Sequence, residues 1–448
     1  MLVTKDPQSQ LSDLPFAEFV FDPNHPLLQL SQAIHWDNLL NDLAYFYSPD
    51  QGRPTIPLRA QSGTLMLKFI KNLPDREAVH YAEENIYGQR FCDLSPSQAQ
   101  GFMNPASGLS NFRQAIGTEG MALIQEVLNC AALGKSLKRG DKLILDTTCI
   151  PLDIHYPTDI RLLERCRREV IRLLKKAKDL GLQVLYRTYN RTARKIFVRF
   201  SKRSKSSEKV RKRVHKQMFQ FLRRNFKQLS DLREKATAQL GLQCRTNPKI
   251  LDFLQNLKLA ESKIRIILHQ QKLVRQGILR IPNRIVSFHK DHVRPIVRGK
   301  FPLETEFGPK VLVAVVRKCV HIVATFHNNV ADVTLIALAL RWFKTTFGHF
   351  PKEMLGDRGF YARWKSLYLK SLGILPGFQE RGKSVQTSSS QRRMIRQRLP
   401  IEAFISLGKR KFGWNRCRAR NPEYESSWIS FAAAALNAYQ TFWIRSPP

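Results

Sequence analysis

Acidic residues are scarce in this chain. Across 448 residues, 36 Asp and Glu face 74 Lys and Arg, a formal charge of +38 and a pI near 10.3. That excess goes far beyond what solubility needs. It favours a polyanionic partner over an acidic ligand or a neutral surface, although a merely basic surface would give the same totals. Cysteine is also sparse and unpatterned: seven residues, with no CxxC pair and no Cys/His zinc spacing. An odd, scattered set argues against a disulfide framework and fits reduced cytoplasmic thiols. No apolar run approaches the ~20 residues that span a bilayer, and VLVAVV and FAAAAL are core-sized. The opening MLVTKDPQSQLSDL has the pattern of no signal peptide. Membrane and disulfide-stapled classes are thereby disfavoured, and a hydrophobic fraction of 43% is ample for real cores.

The charge that is present is concentrated. Residues 161–230 hold 24 Lys or Arg and four Asp or Glu. Interleaved Tyr186, Tyr189, Phe197, Phe200, Phe219, Phe221 and Phe226 read mostly as the apolar seam of packed helices, with the cations left outside for phosphates. Helical periodicity runs through RLLERCRREVIRLLKKAKDLG, which Asp159 would N-cap and Gly181 would stop, and on to about residue 280.

On either side the pattern differs. Residues 1–135 read as helices: QAIHWDNLLNDLAYFY, then RAQSGTLMLKFIKNL and DREAVHYAEENIYGQRF around a turn at Pro74, then IGTEGMALIQEVLNCAALG. The Pro74 pair is compatible with a helix-turn-helix DNA reader and equally with ordinary helix packing. KLILDTTCI reads as a strand. After residue 282, RIVSF and KVLVAVVRKCVHIVATFHN read as strands, the latter a hairpin turning near Arg317 and Lys318. A helix over DVTLIALALRWFKTTFG, a strand KEMLG, a helix ARWKSLYLKSLG and an extended ILPGF follow. A polar, basic loop at 381–397 precedes helices at IEAFISLGKRKFG and ESSWISFAAAALNAYQTFW. A mixed α/β unit is therefore split by an all-α stretch.

Polar residues at the carboxyl ends of strands face the crevice of an α/β sheet. Asp146 and Asp357 each follow a short apolar run, and two such carboxylates brought close are costly without a cation between them. Mg²⁺, an oxygen-seeking ion, resolves the conflict. Glu402 is the best third acid, beside apolar Ile401, Phe404 and Ile405. Lys409 falls about 20° off the face of Glu402, at 100° per residue. Arg398 lies four residues before Glu402, and Pro400 suits a helix's first turn. Taken singly, each acid would serve as well in a cap or a surface ion pair.

Four further segments accompany LDTTCIPLDIHYPTDIRLL in order. They are GRPTIPLRAQSGTLMLKFIKNLPDREAVHYAEENIYGQRFC, HKDHVRPIVRGKFPLETEFGPKVLVAV, GDRGFY and RRMIRQRLPIEAFISLGKRKFGWNRCR. Together they resemble bacterial insertion-sequence DDE transposases over roughly residues 36–440. The R-x3-E-x6-K pattern of the last block maps onto Arg398, Glu402 and Lys409. Ile395 stands where the family often has Tyr three residues before the Arg, so any aromatic contact with DNA would come from elsewhere. The turn CIPLD also departs from the family's usual Val-type residue and acid.

The resemblance implies an α/β (α+β) ribonuclease-H-like catalytic core with a long basic all-α insertion and an N-terminal all-α domain. The expected divisions are 1–135 for the N-terminal DNA-binding helices, 136–160 for the first part of the core, 161–282 for the insertion and 283–448 for the remainder. Asp146, Asp357 and Glu402 would be the catalytic metal ligands, holding two Mg²⁺ ions with Mn²⁺ as substitute. Arg398 and Lys409 would grip DNA phosphates, and so would Arg194, Lys195, Arg199, Lys202, Arg203, Arg211, Lys212 and Arg213 in the insertion. Partners would be double-stranded DNA, as transposon ends and as target, and further copies of the chain assembled on it. The setting would be the bacterial cytoplasm at the nucleoid, with no membrane. Two alternatives stay open: a transposase-derived DNA-binding protein without catalysis, and a general nucleic-acid-binding structural protein.

Overall fold

The computed structural model describes residues 21–48, 50, 54–134, 141–183, 186–203, 205–243, 246–297, 305–378 and 396–444. The 381–395 part of the expected basic loop, Ile395 included, lies outside the described residues. The chain divides into two compact units: Met1–Asp153 with Ile296–Pro448, and Ile154–Pro295.

The first unit opens with helices α1 (Pro26–Ala33), α2 (Trp36–Ala44), α3 (Leu58–Ile70), α4 (Asp75–Glu84), α5 (Ile86–Cys92), α6 (Pro96–Ala99) and α7 (Gly108–Leu133). Two helices expected to be continuous are broken. Ile34 turns extended, and the Trp36 indole donates to the Ser31 carbonyl at 3.0 Å, which separates α1 from α2. Asn85 is also extended, and its side chain accepts from the Gly88 N–H, restarting the chain as α5. A polar residue able to cap outweighed the apolar periodicity at that joint. In α7, Gly117 sits at φ 60°, ψ −162° and kinks the helix.

Strand β1 (Lys142–Cys149) is the centre of a five-stranded sheet. After two short paired strands, β2 (Pro295–Val297) and β3 (Thr305–Phe307), come β4 (Lys310–Val316), β5 (Cys319–Phe326), β6 (Glu353–Gly356) and β7 (Leu375–Phe378). The order is β5-β4-β1-β6-β7; β4 runs antiparallel to both neighbours, while β1, β6 and β7 are parallel. This mixed sheet with helices fits a ribonuclease-H-like core. The β4–β5 hairpin turns at Arg317 and Lys318, both at positive φ, as a two-residue hairpin turn with the right twist requires. On one face of the sheet, Leu143, Leu145, Leu312, Ala314 and Met354 form a core with Ile336, Ala339, Leu340 and Phe343 of α12 (Ile336–Phe347). Helices α13 (Arg363–Ser371), α14 (Leu399–Lys411) and α15 (Glu425–Tyr439) complete the unit.

Helix α15 explains why the N-terminal helices and the sheet cluster together. It is apolar on nearly all sides and packs on α3, α7 and β5. Buried Asn437 stitches the three parts: its carbonyl accepts from the Val320 N–H at 2.8 Å, and its amide donates to the Val320 carbonyl at 2.9 Å and to Asn129 of α7 at 3.0 Å.

The second unit is helical: α8 (Asp159–Asp179), α9 (Asn190–Ser201), α10 (Glu208–Leu240) and α11 (Pro248–Arg275). Its own core joins Leu163, Val170 and Leu173 to Met218, Leu222, Phe253, Leu257 and Ile264. The cap of α8 is Thr158, whose hydroxyl accepts from the Arg161 N–H. Asp159 is instead the first helical residue, bound by Arg284 and Gln271. RIVSF is not a strand. Ile285 and Phe288 are drawn into the helical core, and the Ile285 N–H is satisfied by the Gln270 side chain at 3.2 Å, not by a sheet neighbour.

Candidate active site

Asp146 and Asp357 reach the same end of the sheet. The parallel register pairs Lys142 with Glu353 and Ile144 with Leu355. Asp146 lies two residues beyond the last registered pair on β1, and Asp357 follows β6 directly as the N-cap of a 3₁₀ turn, so both stand toward the same end of the two parallel strands. The Lys142–Glu353 ion pair, 2.9 Å, ties the same two strands at their starts.

Backbone N–H groups orient both acids. Asp146 Oδ1 accepts from the Thr147 N–H at 2.7 Å. Asp357 caps the short 3₁₀ turn Arg358–Phe360, its Oδ1 accepting from the Gly359 N–H at 2.9 Å. Oδ2 of Asp357 has no protein partner among the described residues.

Glu402 arrives on α14, which packs against β1 and α15. Pro400 occupies the first turn and Arg398 is the N-cap residue. The Glu402 carboxylate, half exposed, is held by Arg398 at 2.6 Å. Among the described residues the three carboxylates are not gathered within 4.8 Å of one another. Lys409, near the end of α14, lies 3.8 Å from Glu306 of β3.

A further acid, missed in the sequence, lies between the residue after Asp146 and the turn after Asp357. Asp332 Oδ1 accepts from the Thr147 hydroxyl at 2.9 Å and from Lys310 Nζ at 2.6 Å. Its Oδ2 lies 2.5 Å from where a Cβ on Gly359 would stand, and Asp357 Oδ1 lies 3.0 Å from that same point. Asp332 therefore braces the residue after Asp146 and crowds the turn after Asp357. Its sequence surroundings, NNVADVTLI, read only as the start of a helix.

The cations expected in the helical unit are all exposed. Arg194, Lys195 and Arg199 are on α9, with Lys202 and Arg203 just after it, and Arg211, Lys212 and Arg213 are in the first turns of α10. Lys212 pairs with Glu208 at 2.7 Å. Phe197 and Phe200, on the opposite side of α9, pack against the core.

Comparison with known proteins bears on this arrangement. A family model described as a Transposase domain (DUF772) matches residues 16–115, and one described as a Transposase DDE domain matches residues 306–438. An uncharacterized protein, ORF8 in the nfe locus of Rhizobium meliloti, is 31% identical over 183 residues, covering 40% of this chain and 86% of the relative. The chain belongs to the insertion-sequence DDE transposases. No solved structure matches the transposase. The second match takes in Asp357, Arg398, Glu402 and Lys409, whereas Asp146 lies upstream of it. Membership implies an enzyme of the polynucleotidyl-transferase or endonuclease type, DNA binding at transposon ends and use of a divalent metal. The donor chemistry fits such an ion: hard carboxylate oxygens, two of them toward the same end of neighbouring parallel strands. No helix among the described residues is long and apolar enough to cross a membrane.

Proposed function

We propose that the transposase cleaves DNA at the ends of its insertion sequence and joins the freed 3′ ends to target DNA, with Asp146, Asp357 and Glu402 as the catalytic acids of a ribonuclease-H-like core. What supports this reading is that Asp146, on β1 beyond its registered pairs with β6, and Asp357, directly after β6, lie toward the same end of neighbouring parallel strands, with the α14 helix of Glu402 packed on the first of them. The three acids would hold two Mg²⁺ ions, for which Mn²⁺ can substitute. Ions so held lower the pKa of an attacking water or 3′-hydroxyl and stabilise the leaving oxygen.

The protein's own share is positioning. Hydrogen bonds from the Thr147 and Gly359 N–H groups fix the two aspartate rotamers before substrate arrives, so little reorganisation remains to be made. Arg398 and Lys409 lie on α14 with Glu402 and would hold phosphates near the cut. A phosphate would draw Arg398 from Glu402, releasing that carboxylate toward the aspartates. An exposed i,i+4 ion pair contributes only about 0.3–0.5 kcal/mol, so the exchange is easy.

The helical unit, expected as the insertion 161–282 within the core, would carry DNA on its basic faces. Residues 1–135 would add the N-terminal DNA-binding helices. Joining two ends requires more than one copy on the DNA.

The spread of the three carboxylates and the Arg398–Glu402 pair favour one rival, a transposase-derived DNA-binding protein that no longer cuts. Supercoiled plasmid bearing the element ends, incubated with Mg²⁺ or Mn²⁺, separates the two. Nicking and joining that disappear in Asp146→Asn and Glu402→Gln, with DNA binding kept, support the enzyme. Intact plasmid under every divalent ion supports the rival.

A further inference from the structure

A cleft of about 560 Å³ lies within the helical unit, lined by α8, α11 and the segment bearing Phe288 and His289. From α8 it takes Glu169 and three arginines, Arg165, Arg168 and Arg172, which recur at i, i+3 and i+7 and so share one face. From α11 it takes Asn256 and Lys263, also seven residues apart. Only part of this charge is answered. Arg172 is held by Glu169 at 2.6 Å and Lys263 by Asp291 at 3.0 Å. Arg165 and Arg168 have no carboxylate partner among the described residues. Burial and the neighbouring charge of Arg165 also push the His289 imidazole below its usual value.

Two guanidiniums without carboxylate partners in a concave site leave positive charge there for an anion to answer. Guanidinium takes phosphate oxygens two at a time, and Lys and the Asn amide add further donors. The three arginines span about 10 Å of helix, the rise of roughly three nucleotides along one strand of B-DNA. A single small anion would leave one end of that row unmatched.

We infer that the α8–α11 cleft is a phosphodiester-binding site that seats a length of DNA backbone. It rests on the DNA-processing reading above and gives that reading an anchor distinct from the exposed cations of α9 and α10.

The test measures binding of the full-length protein to a fluorescein-labelled 30-base-pair duplex by anisotropy, across about 50–200 mM KCl. Arg165→Ala with Arg168→Ala is compared with Arg223→Ala with Lys227→Ala, which removes equal charge from α10 outside the cleft. All four side chains are exposed, so thermal melts should match wild type. The cleft pair should weaken binding at least tenfold at 100 mM salt and flatten the log–log salt slope by about 1.8, the contribution of two phosphates. Arg165→Lys with Arg168→Lys should restore most of the slope. Equal losses in the two double variants would mean diffuse attraction and overturn the assignment. Loss of tripolyphosphate binding with duplex affinity unchanged would mean a small-anion site and also overturn it. Plasmid nicking runs in parallel: nicking with an unaffected cleft variant sinks the cleft alone, whereas a weakened cleft variant without nicking sinks the catalytic reading alone.

Discussion

Gly359 and Asp332 form a contact that decides whether a side chain can stand beside Asp357. A methyl on Gly359 would lie 2.5 Å from the Asp332 carboxylate, closer than real Cβ contacts, and 3.0 Å from Oδ1 of Asp357, tighter than nine in ten of them. Gly359→Ala must displace one acid or the other. Nicking should fall at least tenfold, while the circular-dichroism melt shifts little because the turn lies at the edge of the core. Unchanged nicking would mean that the brace has no catalytic weight. Asp332→Asn keeps an acceptor for Thr147 but loses the charge facing Lys310, so it should lose less nicking than Asp332→Ala in the same plasmid assay. Arg398 makes another kind of contact, an ion pair that occupies the Glu402 carboxylate and would compete with a metal for it. Arg398→Ala should raise Mn²⁺ affinity about twofold without DNA, as read by electron paramagnetic resonance, and should weaken end binding once DNA is present. A pair of this strength biases an equilibrium and does not lock it.

Among the helices and strands, the joint between α3 and α4 offers a titratable test. Asp75 opens α4 and is gripped by Arg113 of α7 at 2.6 Å and by Lys68 of α3 at 2.8 Å. Burial alone would raise its pKa; the hydrogen bonds from Arg113 and the charge of Lys68 overcome that and hold the carboxyl at about 2. A folded-state pKa below the unfolded value means stability that is complete above about pH 4 and drains away as the pH falls toward 2. The amount is roughly 2 kcal/mol. Asp75→Asn should cost about that much at pH 7 and flatten the acid limb of a denaturation series; an unchanged limb would show the pair to be inert. These elements also mark how far the sequence could be read. The β4–β5 hairpin, β6 with Asp357 after it, and α14 with Glu402 were all legible, because period-two and helical apolar patterns with Gly stops specify them locally. The breaks at Ile34 and Asn85 were not, since a single extended residue leaves the flanking periodicity intact. RIVSF misled because a short apolar run serves a helical core as well as a sheet. Asp332 was illegible for a different reason: its contacts come from residues 185 and 22 positions away, at Thr147 and Lys310, and no spacing rule connects them.

At the scale of the whole chain, charge and packing divide along the same line. The helical unit has its own core, and most of the excess positive charge falls within residues 161–230. Two cores of this kind need not melt together, so calorimetry should resolve two transitions. A duplex held at a hundred times its dissociation constant stabilises whatever binds it by about 2.7 kcal/mol. For a unit of this size that amounts to roughly 6–10 °C. If the helical unit is the main DNA surface, the shift belongs to its transition, identifiable because the Leu222→Ala core variant lowers that transition and not the other. Added salt should then erase the shift: contacts to six to ten phosphates lose about 10³–10⁵ in affinity between 50 and 200 mM. A shift confined to the other transition, or one that survives 200 mM salt, would move DNA recognition to the N-terminal helices and leave the charge of the helical unit without that role.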